Sequence, residues 1–121
     1  MRPVYKINLE EVVDKIKPLL LGRRLAVVFG SALEGGLVHD VDVLIDGSEL
    51  AEALRLSAGL EEVLGVPVDI VPAEAAPPCL VADALTNGVV VAADWQYFDD
   101  LLYLSVGQCQ DLLIKLKEAS S

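Results

Sequence analysis

The sequence predicts an α/β fold in which helices pack on a small mixed β-sheet of about four strands. Segments with helical periodicity alternate along the chain with short apolar runs rich in β-branched residues. This alternation is typical of helices layered on a sheet, and no internal repeat or low-complexity segment interrupts it. The chain has 121 residues, the length of one ordinary domain, so a single domain over 1–121 is predicted.

The predicted elements follow from periodicity and from residues that start or stop helices. Asn8, Ser48 and Asp94 are predicted N-caps, while Gly22, Gly65 and Asn87-Gly88 are predicted stops. Strands are predicted over 25–29, 40–46, 66–71 and 89–92, and helices over 8–20, 48–64, 78–87 and 95–118.

Composition narrows the classes of function. Hydrophobic residues make up 54% of the chain and charged residues 23%. Such a chain has more apolar surface than a small monomer usually buries. Nine Lys and Arg oppose nineteen Asp and Glu, for a net charge of −10. This charge repels bare nucleic acid and anionic membranes. Direct nucleic-acid binding is therefore disfavoured, whereas a nucleotide could still bind through metal ions held by carboxylates.

Two cysteines and the N-terminal segment indicate the compartment. Cys79 and Cys109 show no metal-ligand spacing and are predicted to be buried free thiols in a reducing cytoplasm. Residues 1–21 mix charged residues among the apolar ones, which fits neither a signal peptide nor a membrane span. A cytoplasmic protein is predicted.

Three carboxylates stand on two of the predicted strands. Residues two apart on a strand point the same way, so Asp40 and Asp42 project together. Asp69 interrupts the apolar strand at 66–71, where a buried acid is costly unless it is paired or metal-bound. If these strands are neighbours, the three carboxylates converge, and such oxygen ligands suit Mg²⁺ or Mn²⁺. Two such ions could clamp the attacking and leaving oxygens of a phosphoryl transfer.

Gly30-Ser31 follows the first predicted strand and could hold phosphate. Glycine permits a close backbone approach, and free N–H groups at such a bend can bind phosphate oxygens. The Ser31 hydroxyl adds a further donor, and Gly35-Gly36 would let the loop fold back towards the phosphates.

Each part also has a plainer interpretation. A Gly-Ser pair after a strand is usually a turn, two aspartates two apart are often a solvated face or a cap, and Asp69 alone could be an ion-paired structural acid. His39 is either a phosphate or carboxylate contact or, more commonly, a partly exposed loop residue. Arg23 and Arg24 could reach a phosphate or simply be solvated at a strand start. The conjunction of the parts favours a functional site.

The motif resembles a known superfamily. Phe29-Gly30-Ser31, an eight-residue spacer and Asp40-Val41-Asp42-Val43 are similar to the signature of the polymerase-beta-type nucleotidyltransferases, and the length resembles the minimal nucleotidyltransferases among them. The resemblance implies metal ligation by Asp40, Asp42 and Asp69, with Asp69 helping to deprotonate the attacking hydroxyl. It also implies that Gly30 and Ser31 hold the β- and γ-phosphates of a nucleoside triphosphate, expected to be ATP with Mg²⁺ or Mn²⁺.

The resemblance further implies a reaction and a partner. A nucleoside monophosphate would pass to a hydroxyl of a protein or small molecule with loss of pyrophosphate. Relatives of this size often pair with a helical HEPN-type protein as toxin and antitoxin. Two departures bear on activity. Glu34 stands before Gly35 where many relatives carry arginine, and His39 stands where serine is frequent. A carboxylate at position 34 repels a triphosphate, so a non-catalytic antitoxin that neutralises its partner by occlusion is the alternative.

Two other enzyme classes fit less well. Glycosyltransferases also hold a metal and a nucleotide sugar with two aspartates, but this chain is too short for their donor and acceptor domains. A haloacid-dehalogenase-like phosphatase needs a nucleophilic aspartate at the end of its first strand, where Phe29-Gly30-Ser31 stands instead.

The last predicted helix carries apolar residues around more than one face. Trp95, Tyr97, Tyr103, Leu104 and Ile114 lie outside the centre of the main apolar stripe. That stripe consists of Phe98, Leu101, Leu102, Val106, Cys109, Leu112, Leu113 and Leu116. Either this helix is sunk between the sheet and the first helix, or it serves as an oligomer or partner interface, where Trp and Tyr are useful anchors.

Overall fold

The computed structural model describes residues 2–120, and its main feature is a four-stranded mixed sheet with helices on both faces. The strand order is β5-β4-β2-β6, in which β4 and β5 are parallel and the other neighbours are antiparallel. The predicted four-stranded mixed sheet packed by helices is therefore confirmed. The sheet strands are β2 (Leu25–Phe29), β4 (Val41–Ile45), β5 (Val68–Pro72) and β6 (Val89–Ala93).

Two helices cover one face of the sheet. They are α1 (Leu9–Leu20) and α2 (Leu50–Leu64). Alternate strand residues point to this face and pack against fully buried side chains of the helices, such as Ile16 and Leu60. Burial of these apolar stripes, at about 25 cal/mol per Å², is what fixes the helices to the sheet.

The opposite face is covered by α3 (Pro78–Asn87) and by the first turns of α4 (Trp95–Ser120). Val27, Phe29 and Leu44 point to this face and pack with Val81 of α3. Because α4 lies on this side and α1 on the other, the predicted position of the last helix between the sheet and the first helix is wrong.

The second half of α4 is largely exposed. Leu113 is 57% exposed, Ile114 54% and Leu116 58%, although each is apolar. This segment therefore keeps the apolar surface that the alternative prediction assigned to an oligomer or partner interface.

A second, two-stranded sheet was not predicted from the sequence. Strands β1 (Tyr5–Ile7) and β3 (Gly36–Val38) pair antiparallel, with Tyr5 opposite Val38. Three residues are too few to show an alternating pattern, so the sequence gives no periodic signal for either strand. The pairing places the N-terminal segment beside the residues that precede β4.

The helix caps follow the predictions with one exception. Asn8 Oδ1 accepts from Glu11 N at 3.1 Å, and Asp94 Oδ1 accepts from Gln96 N at 3.1 Å. Gly65 ends α2 in the left-handed conformation, as predicted. Ser48 is not the cap of α2, because Glu49 holds that position without a side-chain hydrogen bond.

The prediction of two free thiols is wrong. Cys79 of α3 and Cys109 of α4 form a disulfide across a sequence separation of 30 residues, with Cα atoms 4.7 Å apart. Neither residue has a partner within its own helix, so only the packing of α3 against α4 brings the two together. The disulfide closes the α3–α4 pair covalently.

Candidate functional site

The register of β4 and β5 places two of the predicted site residues side by side. Asp42 and Asp69 are direct partners in this parallel pair, and neighbouring strands lie about 4.8 Å apart. Both side chains therefore point to the same face of the sheet, the α3 side. Asp42 is half-buried and Asp69 is exposed, so the predicted cost of burying an acid at position 69 does not arise.

Asp40 completes the carboxylate group. It lies just before β4 and two residues from Asp42, which puts it on the same face. The pKa of Asp42 is raised to about 6, first because burial disfavours its charged form and then because Asp40 and Asp69 repel that charge. Asp40 and Asp69 thus lie close enough to Asp42 to act on its charge, at one end of the sheet.

The carboxylate group has the right donors for a hard divalent cation but is not a closed metal site. All three side chains offer oxygen, the ligand atom that Mg²⁺ and Mn²⁺ prefer. Within residues 2–120, however, no three His, Cys, Asp or Glu side chains are gathered closely enough to hold an ion together as they stand. Side-chain rotation at Asp40, Asp42 and Asp69 would be needed, and a bound cation would offset the repulsion that Asp40 and Asp69 exert on the charge of Asp42.

Gly30 and Ser31 lie directly beside the carboxylates. Phe29, at the end of β2, is the strand partner of Asp42, and a 3₁₀-helix begins at Gly30 (Gly30–Glu34). Gly30 has a φ of 76°, and a Cβ built on it would lie 2.6 Å from Asp42 Oδ2. The backbone conformation therefore favours glycine, and a Cβ at this position would displace the Asp42 carboxylate. Ser31 follows at an exposed position on the same bend.

The glycine pair after the 3₁₀-helix forms the turn into β3. Gly35 and Gly36 have φ values of 69° and 74°, and they turn the chain into β3, where Gly36 pairs with Ile7. That the same pair lets the loop fold back towards phosphates stays a prediction. Glu34 ends the 3₁₀-helix and is exposed.

The structure brings one residue to the site that sequence analysis missed. Arg2 Nη2 donates to Asp40 Oδ2 at 3.3 Å, across 38 positions of sequence. His39 Nδ1 bonds the carbonyl oxygen of Pro3 at 3.0 Å and is exposed, as the loop interpretation of His39 predicted. The pairing of β1 with β3 brings Arg2 to Asp40, and these strands are too short to be recognised in the sequence.

The two arginines before β2 take no part in the carboxylate group. Arg23 Nε donates to Asp46 Oδ1 at 3.0 Å, and its Nη1 donates to Glu52 Oε1 at 2.7 Å. Arg24 lies over the ring of Tyr97, 4.1 Å from its centroid. Asp46 directly follows β4, at the end of the strand remote from Asp42, so these contacts tie that end of the sheet to α2 and α4.

A cavity between α3 and α4 is separate from the carboxylates. It has a volume of about 400 Å³ and is lined by Val81, Tyr97, Leu101, Ser105 and neighbouring residues. None of the three aspartates, Gly30 or Ser31 borders it. The candidate site is therefore assigned to the carboxylate group because of its chemistry, not because of the depth of the surface there.

The chain is similar to known proteins both in sequence and in structure. Residues 14–95 match the sequence model of the family described as Polymerase beta, Nucleotidyltransferase. A protein of Methanocaldococcus jannaschii, provisionally named a protein adenylyltransferase, is 36% identical over 91 residues, which cover 69% of this chain and 97% of that protein.

Solved structures share the fold at lower identity. One chain of a complex of tri-AMPylated Shewanella oneidensis HEPN toxin with MNT antitoxin has a TM-score of 0.71 and 21% identity, covering 93% of this chain and 95% of its own. A chain of a toxin–antitoxin complex with AMP-PNP has a TM-score of 0.74 and 17% identity, with the same coverage of 93% and 95%. At these identities the likeness shows the fold alone.

Proposed function

The chain belongs to the polymerase beta nucleotidyltransferase family, and we propose that it transfers a nucleoside monophosphate from a nucleoside triphosphate, ATP above all, to a hydroxyl group. The observation that carries the proposal is the strand register of Asp42 with Asp69 beside the Gly30 bend. These are the positions at which the family resemblance expects metal ligands and phosphate contacts. The acceptor is a hydroxyl of a partner protein or of a small molecule.

Each residue of the site has a proposed task. Asp40 and Asp42 would hold the divalent cation, Mg²⁺ or Mn²⁺, and Asp69 would complete that site. The cation, when bound, supplies positive charge that offsets the charge developing on the transferred phosphoryl group. Gly30 and Ser31 would hold the β- and γ-phosphates through the exposed backbone of the bend and the Ser31 hydroxyl.

Asp69 is also proposed to accept the proton of the attacking hydroxyl. Its side chain is exposed, so an acceptor hydroxyl can approach it from solvent. It lies beside Asp42 in the register, which keeps proton acceptance next to the site of transfer. A carboxylate positioned in this way can serve as a general base if it comes within hydrogen-bond reach of the hydroxyl.

The proposed partner is a HEPN-type protein, with this chain as the MNT component of a toxin–antitoxin pair. The support is the shared fold with MNT–HEPN complexes and the exposed apolar half of α4. A wall for the base and the acceptor would come from this partner or from a second copy of the chain. The net charge of −10 argues against direct nucleic-acid binding.

No helix within residues 2–120 is long and apolar enough to span a bilayer. A cytoplasmic location is still proposed, but the Cys79–Cys109 disulfide removes the support that free thiols would have given it.

The test is transfer of label from ATP. The protein is incubated with α-³²P-ATP, Mg²⁺ and the HEPN-type protein encoded next to it, and labelled protein is followed on a gel. Label should appear on the partner and should be lost in the Asp40→Ala/Asp42→Ala variant. An Asp14→Ala variant, changed at an exposed aspartate of α1, is the matched control and should label normally. Label that persists in the double variant would reject the assignment.

A second function is favoured by two observations, namely Glu34 in place of arginine and the exposed apolar surface at Leu113, Ile114 and Leu116. In this case the chain neutralises its partner by occlusion, without transfer. Complex formation would then need neither nucleotide nor Asp42. If Asp42→Ala abolished neutralisation while the complex stayed intact, occlusion would be insufficient.

A further inference from the structure

The N-terminal segment delivers a positive charge to the first aspartate of the site. Arg2 Nη2 lies 3.3 Å from Asp40 Oδ2. The segment is held in place by the β1–β3 pairing, in which Tyr5 is opposite Val38, and by the bond between His39 Nδ1 and the Pro3 carbonyl oxygen. The backbone of both residues in this contact is therefore anchored, because Arg2 lies just before β1 and Asp40 lies just before β4.

The site needs such a charge. Asp40 and Asp69 repel the charge of Asp42, and the whole chain carries −10. A nucleoside triphosphate that approaches these three carboxylates is repelled by them. Arg2 supplies a positive charge here, because its guanidinium contacts Asp40 directly. A guanidinium can pair with a carboxylate and with a phosphate by the same planar geometry.

We propose that Arg2 is a nucleotide-binding residue that alternates between two partners. It pairs with Asp40 while no divalent cation is bound, and it turns to the triphosphate of the nucleotide when a cation takes Asp40. The inference rests on the proposed function, and it assigns to Arg2 the positive charge that the loop lacks because Glu34 stands there. His39 is the positioning residue, since its bond to Pro3 keeps Arg2 beside the site.

The exposure of the pair permits this exchange. The Arg2 side chain is 69% exposed and that of Asp40 31%, so little packing holds the guanidinium in its present position. Exposed ion pairs of this kind are weak. A divalent cation, with twice the charge, therefore displaces Arg2 readily, while the anchored backbone at Pro3 keeps the freed side chain within reach of a phosphate.

The experiment compares Arg2→Gln with the unsubstituted full-length protein, with a cleavable tag at the C-terminus so that the segment before Arg2 is unaltered. Mn²⁺ binding without nucleotide is measured by electron paramagnetic resonance. Because Arg2→Gln removes the guanidinium that competes for Asp40, Mn²⁺ should bind about two- to fivefold more tightly, which corresponds to the free energy of one exposed ion pair. Binding of AMP-PNP with saturating Mn²⁺ is measured by calorimetry, and it should weaken about tenfold, as expected for loss of one charge-assisted contact.

Two further variants sharpen the test. Arg55→Gln removes the same charge from an exposed position on α2 and should leave both affinities unchanged. His39→Ala should weaken AMP-PNP binding in the same direction as Arg2→Gln while it leaves the charge of the Arg2 side chain intact. Unchanged AMP-PNP affinity in Arg2→Gln, or weaker rather than tighter Mn²⁺ binding, would overturn the inference.

Asp42→Asn separates this inference from the proposed function. If Asp42→Asn impairs Mn²⁺ and AMP-PNP binding but Arg2→Gln behaves as the unsubstituted protein does, the proposed function stands and the role of Arg2 is wrong. If the unsubstituted protein binds neither probe, or if Asp42→Asn changes nothing, the proposed function fails and the inference fails with it.

Discussion

The carboxylate of Asp42 lies against the backbone of Gly30, so close that a Cβ at position 30 would come within 2.6 Å of Oδ2. The same glycine has a φ of 76°, which L-residues rarely adopt. Gly30 therefore suits this position in two ways: it adopts the bend, and it leaves room for the Asp42 carboxylate beside it. This contact joins the phosphate-binding half of the candidate site to its carboxylate half.

Gly30→Ala should damage both halves. The backbone strain and the displaced Asp42 side chain together should lower the free energy of unfolding by about 1–3 kcal/mol, measured by urea denaturation. AMP-PNP binding should fall as well, because Asp42 must move. The matched control is Gly107→Ala: Gly107 lies in α4 with open space around its missing Cβ. That change should stabilise by about 0.5–1 kcal/mol, and equal losses in the two variants would contradict the role given to Gly30.

Asp42→Asn should stabilise the protein at neutral pH. The pKa of Asp42 is raised to about 6 in the folded protein, so the folded state binds more protons than the unfolded state, and deprotonation of Asp42 costs stability as pH rises. This loss of stability reaches its full size above about pH 6, and it is absent below pH 3.8, the ordinary pKa of an aspartate in the unfolded chain. Because Asp42 is half-exposed and solvent screens its charge, Asp42→Asn should raise the free energy of unfolding by only about 1 kcal/mol at pH 7.5.

Thermal unfolding of Asp42→Asn at pH 7.5 and pH 3.5 measures this effect. The difference in Tm from the unsubstituted protein should be positive at pH 7.5 and should vanish at pH 3.5. Asp14→Asn, the same change at an exposed position, should give no such pH-dependent difference. A loss of stability at pH 7.5 in Asp42→Asn would contradict this prediction, because it would mean that the charged form of Asp42 stabilises the fold.

The sheet and the carboxylates could be predicted because their signals are local. Val41-Asp42-Val43 alternates within one strand, and Gly30 ends an apolar run, so each is readable in a window of a few residues. Register is not local, but the convergence of Asp42 with Asp69 needed only that β4 and β5 be neighbours. One strand pairing therefore sufficed to build the predicted group.

The remainder depended on contacts between residues distant in sequence. Arg2 reaches Asp40 through two three-residue strands, which are too short for any periodic signal. Cys79 and Cys109 lie on two helices whose packing brings their Cα atoms to 4.7 Å, and no spacing rule in the sequence foretells such a meeting. Such features are set by packing, and sequence patterns of a dozen residues carry no trace of them.

Arg23 should contribute to stability and not to nucleotide binding. Its guanidinium bridges Asp46 and Glu52 at 3.0 and 2.7 Å, and Asp46 Oδ1 also accepts from Leu25 N at 3.2 Å. Arg23→Met keeps much of the apolar stem but leaves the partly buried Asp46 without its cation. We expect a loss of about 1–3 kcal/mol in the free energy of unfolding, measured by urea denaturation, with AMP-PNP affinity unchanged. Weaker nucleotide binding in Arg23→Met would instead place this residue in the site.

Reduction of the Cys79–Cys109 disulfide should destabilise the fold. The loop that it closes spans 30 residues of sequence, and constraint of the unfolded chain over such a loop contributes about 3–4 kcal/mol. For a chain of 121 residues, this corresponds to a decrease in Tm of roughly 10 °C, measured by calorimetry with and without tris(2-carboxyethyl)phosphine. The Cys79→Ser/Cys109→Ser variant is the control, since its Tm should be low and unaffected by the reductant. An equal response of that variant to the reductant, or none in the unsubstituted protein, would mean that the disulfide does not hold α3 to α4.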